Sequence, residues 1–274
     1  MEWSKLKNMI LLLLLCVNIF LLALVGTQQS RSARYTEETQ RAAIATLERS
    51  GITVAMERLP KDVQLTPLSV ERSRENDRSI AEHLLGVVEE TVENEIRWRY
   101  TSPNGTAEFA MNGDFTVEFV EGALVRSGGQ SYAKASESCL EQLDLEGILA
   151  ESREAGEYAH LTYVQSWDDI PVFSCNVAFT WEGDTLRRIE GRRLVGTATP
   201  VQADSPLSTT TVLIRFLAGL NAGGYVCSRI DEMTAGYRLS GTARSVQLNP
   251  VWQIVTDTGV YYVDGIHGEL STEA

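Results

Sequence analysis

Cysteine, histidine and lysine are scarce in this chain of 274 residues, and each scarcity removes a class of chemistry. Of four cysteines, Cys16 falls in an apolar run, and Cys139, Cys175 and Cys227 are an odd number at wide spacing. That is not the pattern of a disulfide framework. Cys175 lies in an alternating strand pattern and Cys139 on the apolar side of a predicted helix, so both read as small core residues. The three histidines, His83, His160 and His267, lie far apart, and none has a partner at metal-ligand spacing. His267 and Glu269 are near enough to share a site, although a solvated turn is the simpler reading. Lysine occurs only at positions 5, 7, 61 and 134. Ser131-Tyr132-Ala133-Lys134 matches Ser-x-x-Lys, the nucleophile motif of penicillin-binding enzymes, but no Lys-Thr-Gly or Ser-Asp-Asn accompanies it.

Other loose motifs yield to plainer readings. Gly128-Gly129 and Gly223-Gly224 lack the strand, spacing and lysine of a phosphate loop. The carboxylates Asp168-Asp169 follow Trp167 where a hairpin turn is expected, a place that Asp favours for its local hydrogen bonds. Asn104-Gly105-Thr106 is a glycosylation acceptor only in a eukaryotic secretory route. Neither cofactor nor metal is predicted, and the chain reads as a non-enzyme.

The most specific feature is at the start. Residues 9–27, Met9 to Thr27, are uncharged and mostly apolar. As a helix they would be roughly 28 Å long, close to the hydrocarbon thickness of a bilayer. Lipid offers no partner to free backbone groups, so a helix is the form to expect. Lys5 and Lys7 flank its start, which places residues 1–8 in the cytoplasm and the rest outside. A cleaved signal peptide is the alternative, but no good small-x-small site follows: Ala23-Leu24-Val25 ends in Val, and Leu24-Val25-Gly26 begins with Leu. Leu14 and Leu15 before Cys16 argue against a lipoprotein site. The expectation is a retained single-pass anchor in the cell membrane.

With Glu2 set aside from 37 acidic residues, and Lys5 and Lys7 from 24 basic ones, the exported part carries 36 acids and 22 bases, a net charge of about −14. Such a surface repels nucleic acid and an anionic membrane face, and serves solubility first.

Periodicity predicts an α+β fold: a transmembrane helix followed by units of one helix and an antiparallel sheet. Gln28 to Arg34 reads as a short polar stalk. Ala43, Ile44 and Leu47 predict a helix that Gly51 ends. Ile52 to Leu59 is a candidate strand, and Lys61 to Asn76 reads as a loop. Ser79 and Glu82 have capping-box spacing and start a helix with Ile80, Leu84, Val87 and Val88 on one face. Strands at Ile96 to Tyr100, Ala107 to Met111 and Phe115 to Phe119, joined by Asn-Gly turns, predict a three-stranded meander. Ser127-Gly128-Gly129-Gln130 looks like a boundary, which divides the exported part into residues 28–126 and 127–274. The second part reads as two units. A helix with Tyr132, Ser136, Leu140 and Leu143 precedes strands at Tyr158 to Trp167, Val172 to Trp181 and Thr185 to Val195. A helix with Val212, Leu213, Phe216 and Leu220 precedes strands near 225–230, 236–239, 251–256 and 260–264.

At this point the chain resembles a known family. Trp3-Ser4-Lys5-Leu6-Lys7, followed by Val17-Asn18-Ile19-Phe20-Leu21 within the apolar run, is similar to the N-terminus of YycI-type proteins. Asn249-Pro250-Val251-Trp252-Gln253-Ile254, then Thr258-Gly259-Val260-Tyr261-Tyr262-Val263-Asp264 and Gly268-Glu269, look like the closing hairpin of the YycH/YycI family and of related PepSY-like units. Those proteins are membrane-anchored regulators of the WalK/WalR (YycG/YycF) two-component system of Gram-positive bacteria. The resemblance implies an extracytoplasmic regulator of a sensor histidine kinase of WalK type, often beside a YycH-type partner, with contact partly through the transmembrane helix. Asn18, polar inside an apolar helix, needs a hydrogen-bond partner there. Trp3 is suited to the cytoplasmic interface. Both are candidate interaction residues. The alternative from another class is a PepSY-like inhibitor or binding module for an exported peptidase or cell-wall enzyme.

Overall fold

Apolar alternation in the middle of the chain and helical periodicity at its start become the two structural systems of the molecule. The computed structural model describes residues 2–60, 63–72, 76–94, 96–194, 196–202, 204–241 and 245–273; in the first helix the side chains at 2, 4–6, 8, 10–12, 16 and 22–36 lie outside the described set. Helix α1 (Glu2–Arg49) is followed by Gly51 at φ 84°, a left-handed conformation that glycine adopts without steric penalty. Strand β1 (Thr53–Val54), a 3-10 turn (Met56–Arg58), β2 (Leu68–Arg72) and α2 (Asp77–Leu85) come next. Four strands follow, β3 (Glu89–Asn94), β4 (Arg97–Ser102), β5 (Gly105–Ala110) and β6 (Asp114–Phe119). Helix α3 (Tyr132–Gln142) leads into β7 (Gly147–Ala155), β8 (Tyr158–Trp167), β9 (Ile170–Glu182), β10 (Thr185–Arg192) and β11 (Gly196–Pro200). Helix α4 (Thr209–Gly223) precedes β12 (Arg229–Gly241), β13 (Ser245–Thr256), β14 (Val260–Asp264) and β15 (Leu270–Ser271).

The 15 strands form one branched sheet with two wings. The first wing runs β3-β4-β5-β6-β10-β9-β8-β7 and is antiparallel throughout. The second is built on the long β12–β13 hairpin. Along β13, β2 pairs with the first half and carries β11, whereas β14 pairs with the second half and carries β15. Strand β9 joins the wings, since its start lies parallel to β12 with Val172 beside Tyr237. Leu239 N–H donates to Ser174 Oγ across that join at 2.8 Å. Gly236 is required there: a Cβ would stand 2.5 Å from both the Phe173 ring and the Pro171 carbonyl oxygen.

Helices cover one face of each wing, as an α+β layer arrangement requires. Ile80, Leu84 and Leu85 of α2, with Ala135, Cys139 and Leu140 of α3, pack on Tyr100, Phe109, Tyr163, Phe179 and Trp181 to make the first core. The buried Trp181 indole N–H donates to Ser136 Oγ at 3.0 Å, so its one polar atom is satisfied. Val212, Leu213, Phe216 and Leu220 of α4 meet Cys227, Ile230, Trp252, Ile254 and Val263 in the second core, and Ala43 and Leu47 of α1 join them. A third core, with Val70, Val172, Cys175, Leu194, Tyr237 and Leu248, fills the join between wings. Position 127, expected to divide two domains, lies between β6 and α3, and both of these elements contribute to the first core.

The meander is found as β4–β6, and the three strands that follow α3 in the sequence reading are found as β8–β10. Several features differ. The strand expected at Ile52 to Leu59 is β1 followed by the 3-10 turn, the loop expected at Lys61 to Asn76 contains β2, and Val87, expected on the buried face of α2, lies past the helix end and is 89% exposed. The expected stalk is helical, because nothing between Gln28 and Arg49 breaks a helix and Glu37 pairs with Arg41 one turn on. The strands expected near 225–230 and 236–239 are one strand, β12, starting at Arg229. Helix α2 starts at Asp77 with Asn76 as its N-cap, not at Ser79, and Glu82 pairs with Arg78 at 3.0 Å instead of closing a capping box.

The start of α2 is fixed by a buried ion pair. Arg193, just past β10, donates from Nη1 to Asp77 Oδ1 at 2.8 Å, with side chains 3% and 9% exposed. The guanidinium lies 5.3 Å from the Phe109 ring centroid. Burial pushes the Arg193 pKa down, and the Asp77 charge opposes that shift. Removing one member of such a pair strands a charge in a dry site. Asp77→Ala is therefore expected to lower unfolding free energy by about 3–5 kcal/mol in urea titration, and Asp77→Leu combined with Arg193→Met to recover most of that loss.

Candidate functional site

Both residues singled out in the sequence lie on α1. Trp3 is 80% exposed, and Asn18 is exposed too. Around Asn18 the described side chains Leu13, Leu14, Leu15, Val17, Ile19, Phe20 and Leu21 each have half or more of their surface uncovered, apart from Val17 at 47%. No protein element covers this apolar stretch among the described residues. The anchor expected at 9–27 is helical in backbone, but several of its side chains lie outside the described set. Among the described residues, no helix is long and apolar enough to cross a membrane.

The other end of α1 is held firmly. Leu47 is completely buried and Ala43 nearly so, both against the second core. At 3.6 residues per turn, Ala43 and Leu47 fall about 20° to either side of Asn18 in projection along the axis, and Trp3 about 60° away. The face that docks on the core is thus the face that carries Asn18, some 38 Å further along the helix at about 1.5 Å per residue.

Where α1 enters the core there is an open cleft of about 600 Å³ lined by Glu48, Thr53, Val54, Ala55, Arg58, Arg229, Ile230 and Asp231. Arg58 donates to the Asp231 carbonyl oxygen at 2.8 Å, and Arg229 Nε to Asp231 Oδ1 at 2.6 Å. The Arg229 hydrogen bond holds the Asp231 carboxyl below the usual range. Thr53 N–H and Oγ1 both donate to the Ser228 carbonyl oxygen, at 2.9 and 3.1 Å. Asp257, in the β13–β14 turn, closes the joint from behind. Its Oδ1 accepts from the backbone N–H groups of Ser228 at 3.0 Å and Arg229 at 3.1 Å, and its Oδ2 accepts from the Ser228 hydroxyl. The sequence reading recognised the Asp257-Thr258-Gly259 turn but not this clasp, because its partners lie 28 and 29 positions away.

The remaining motifs are consumed locally. Ser131 is the N-cap of α3, its Oγ accepting from Lys134 N–H at 3.2 Å, so the Ser-x-x-Lys match is a helix start. Asp168 and Asp169 have φ of 49° and 63° between the paired Trp167 and Ile170, a two-residue turn with both central residues left-handed. His160 Nδ1 lies 3.3 Å from Thr180 Oγ1, and His267 Nδ1 lies 3.2 Å from Asp264 Oδ1 in an exposed turn. His83 lines a second open cleft of about 640 Å³ between α2 and α3, with Asn76, Ser79, Ser138, Glu141, Gln142 and Asp144 among its walls. Cys139, Cys175 and Cys227 are buried thiols outside any disulfide, and burial pushes the Cys139 thiol up to about 12. Among the described residues no three His, Cys, Asp or Glu side chains are grouped to hold a metal ion.

No family model and no curated protein matches the chain. Solved structures do. An uncharacterized protein from Eubacterium rectale superposes with a TM-score of 0.53 at 12% identity, over 79% of this chain and 94% of that one. The C-terminal domain of Bacillus megaterium YpeB matches at TM-score 0.40 and 10% identity, over 75% of this chain and 99% of its own. The first likeness shows a shared fold, a mixed α+β architecture with a large sheet and few helices. The second is too distant to carry a conclusion.

The Asp257 clasp has a pH signature. Its folded pKa is held below the ordinary 3.8, first by the Ser228 hydroxyl and then by the Ser228 backbone N–H. A depressed carboxyl stabilises the fold above its unfolded pKa and loses that contribution as pH falls through the folded value. Melting temperature is expected to fall below about pH 4, and Asp257→Asn to lower it at neutral pH while flattening that acid slope.

Proposed function

We propose that the chain is a membrane-anchored extracytoplasmic regulator of a sensor histidine kinase, engaging the kinase through its anchor helix and its exported domain. The observation that carries this reading is the continuity of α1, which runs unbroken from Trp3 past Asn18 to the buried Leu47. A stalk that flexed would tether the domain. A rigid helix fixes the direction of Asn18 relative to the core and couples the two mechanically. The uncovered apolar side chains of Met9, Leu13 to Leu15, Val17 and Ile19 to Leu21 are suited to lipid, since exposed apolar surface of this extent is rare on soluble proteins. Lys5 and Lys7 beside the anchor support a cytoplasmic N-terminus. The resemblance of both chain ends to YycI-type proteins supplies the partner class, a WalK-type kinase with a YycH-type protein alongside. In this reading the protein is not an enzyme, takes no cofactor and binds no nucleic acid.

A second reading is favoured by the recurrence of a helix followed by antiparallel strands at α2, α3 and α4. It makes the exported domain a PepSY-like inhibitor or binding module for an exported peptidase or cell-wall enzyme. In that case the domain alone carries the binding surface.

The two readings separate on the helix. In the regulator reading, the full-length chain co-purifies with a kinase from detergent. Asn18→Leu weakens that association by up to roughly thirtyfold, given in-membrane hydrogen bonds of about 0.6–2 kcal/mol. Replacing residues 9–25 by an unrelated apolar helix changes kinase output; normal output after the swap refutes the helix contact. In the binding-module reading, target affinity is indifferent to the anchor. Ser131→Ala lowers stability by about 1 kcal/mol through loss of the cap and leaves kinase output as it was.

A further inference from the structure

The first wing ends in two edge strands of different charge: the charged residues of β3 are all acidic, whereas β7 carries both signs at Glu151, Arg153 and Glu154. β3 is blunted by charge, its sequence being Glu-Glu-Thr-Val-Glu-Asn. β7 is nine residues long, has no proline or lysine, pairs among the described residues only with β8, and is exposed on both faces from Ile148 to Ala155; its ladder shifts register at Ala150 and is regular from Glu151 to Ala155. Natural sheets normally protect such an edge, because its outward N–H and C=O groups are a template for another strand.

The geometry of those groups can be worked out. Gly156, at φ 63°, and Glu157 form the two-residue turn between β7 and β8, which closes on the pair Ala155 and Tyr158. The closing pair of such a turn is hydrogen-bonded, and bonded pairs alternate along an antiparallel ladder. Ala155, Arg153 and Glu151 thus spend their backbone groups on β8, and Glu154 and Ser152 turn theirs outward. Glu151 and Arg153 share one face and are paired at 2.6 Å, with side chains 46% and 74% exposed.

We propose that β7 is a self-association edge, in which two copies of the chain pair their β7 strands antiparallel about a two-fold axis through Ser152. This goes beyond the regulatory reading and does not depend on it. In this register Ser152 faces Ser152 of the second copy and the two exchange backbone hydrogen bonds. Arg153 faces Glu151 of the second copy and Glu151 faces its Arg153, giving two opposite-charge pairs at close cross-strand distance. Charge selects this register. An axis through Glu151 sets two glutamates face to face, one through Arg153 sets two arginines face to face, and one through Ala150 leaves both charges without an opposite number. The same symmetric patch serves both copies, as a closed two-fold interface requires.

Disulfide trapping of the full-length chain purified in detergent tests the proposal, with Cys16→Ser as background and the three buried cysteines left in place. Ser152→Cys places two thiols on the axis, where a hydrogen-bonded pair has Cα atoms about 5.5 Å apart, within disulfide reach. A disulfide-linked homodimer is expected on mild oxidation. Glu154→Cys, roughly 13 Å from its counterpart at about 3.3 Å per residue, is expected to stay monomeric. Adding Arg153→Glu to Ser152→Cys should cut the dimer about tenfold by setting glutamates opposite each other, and adding Glu151→Arg to that variant should restore it. Absence of the Ser152→Cys dimer overturns the proposal. So do equal trapping at 154, indifference to Arg153→Glu, failure of the charge swap to restore, or a cross-link to some other protein alone.

Discussion

The molecule depends on one strand serving both wings of the sheet. β9 is 13 residues long, and its buried side chains are divided between cores. Val177, Phe179 and Trp181 belong to the first core, and Val172 and Cys175 to the core at the join. Phe173 packs on Tyr262 of the second wing at 5.7 Å between ring centroids. A β-strand resists bending within its own hydrogen-bonded ladder, so sharing it fixes how the two wings lie. Other contacts reinforce the same place. Gln165, at the end of β8, is buried and uses both ends of its amide on the backbone of Leu194, at 2.9 and 3.0 Å, imitating a strand pair where the ladder runs out. The Asp77–Arg193 pair anchors α2 one residue away from that point.

What the sequence made legible follows from the physics of burial. Strands covered on one face alternate, and β4, β5, β6, β8 and β9 were readable for that reason. β3 and β7 were not, because an edge strand exposed on both faces has no alternation to read. β2 and β11 are short, and their pairing partners lie more than a hundred positions away in the chain, so nothing local marks them. The polar part of α1 was read as a stalk because a polar stretch shows no amphipathic period; it is helical because its neighbours on both sides are, and helix propagation needs far less than nucleation. Of the candidate site, Trp3 and Asn18 were visible as polar or aromatic exceptions at an apolar helix. The Arg58, Arg229, Asp231 and Asp257 cluster was not, since those residues meet only after β1 pairs with β12.

The catalytic-looking motifs share a structural use. Serine, aspartate and histidine are the residues of active sites, and they are also the residues that satisfy backbone groups at helix starts and turns. Ser131 Oγ accepts from Lys134 N–H and Asp264 Oδ1 from the N–H groups of Ile266 and His267, while Asp168 and Asp169 take the left-handed positions of a hairpin turn. The outer face of the first wing shows the same economy with charge: Arg99 pairs with Glu108, Arg188 with Glu118 and Arg192 with Asp114 across neighbouring strands, and Arg188 also pairs with Glu190 along β10. The acidic excess therefore resides elsewhere, and this face is close to electrically balanced.

The three buried thiols have a use that none of the folding arguments requires. Cys139 sits in the first core, Cys227 in the second and Cys175 at the join, one to each. A thiolate reacts and a shielded thiol does not, so each cysteine is silent while its own core is closed. The chain thus carries a separate chemical reporter for each of these three cores. Labelling rates at the three positions would reveal whether the wings open together or one at a time, with no probe added to the protein.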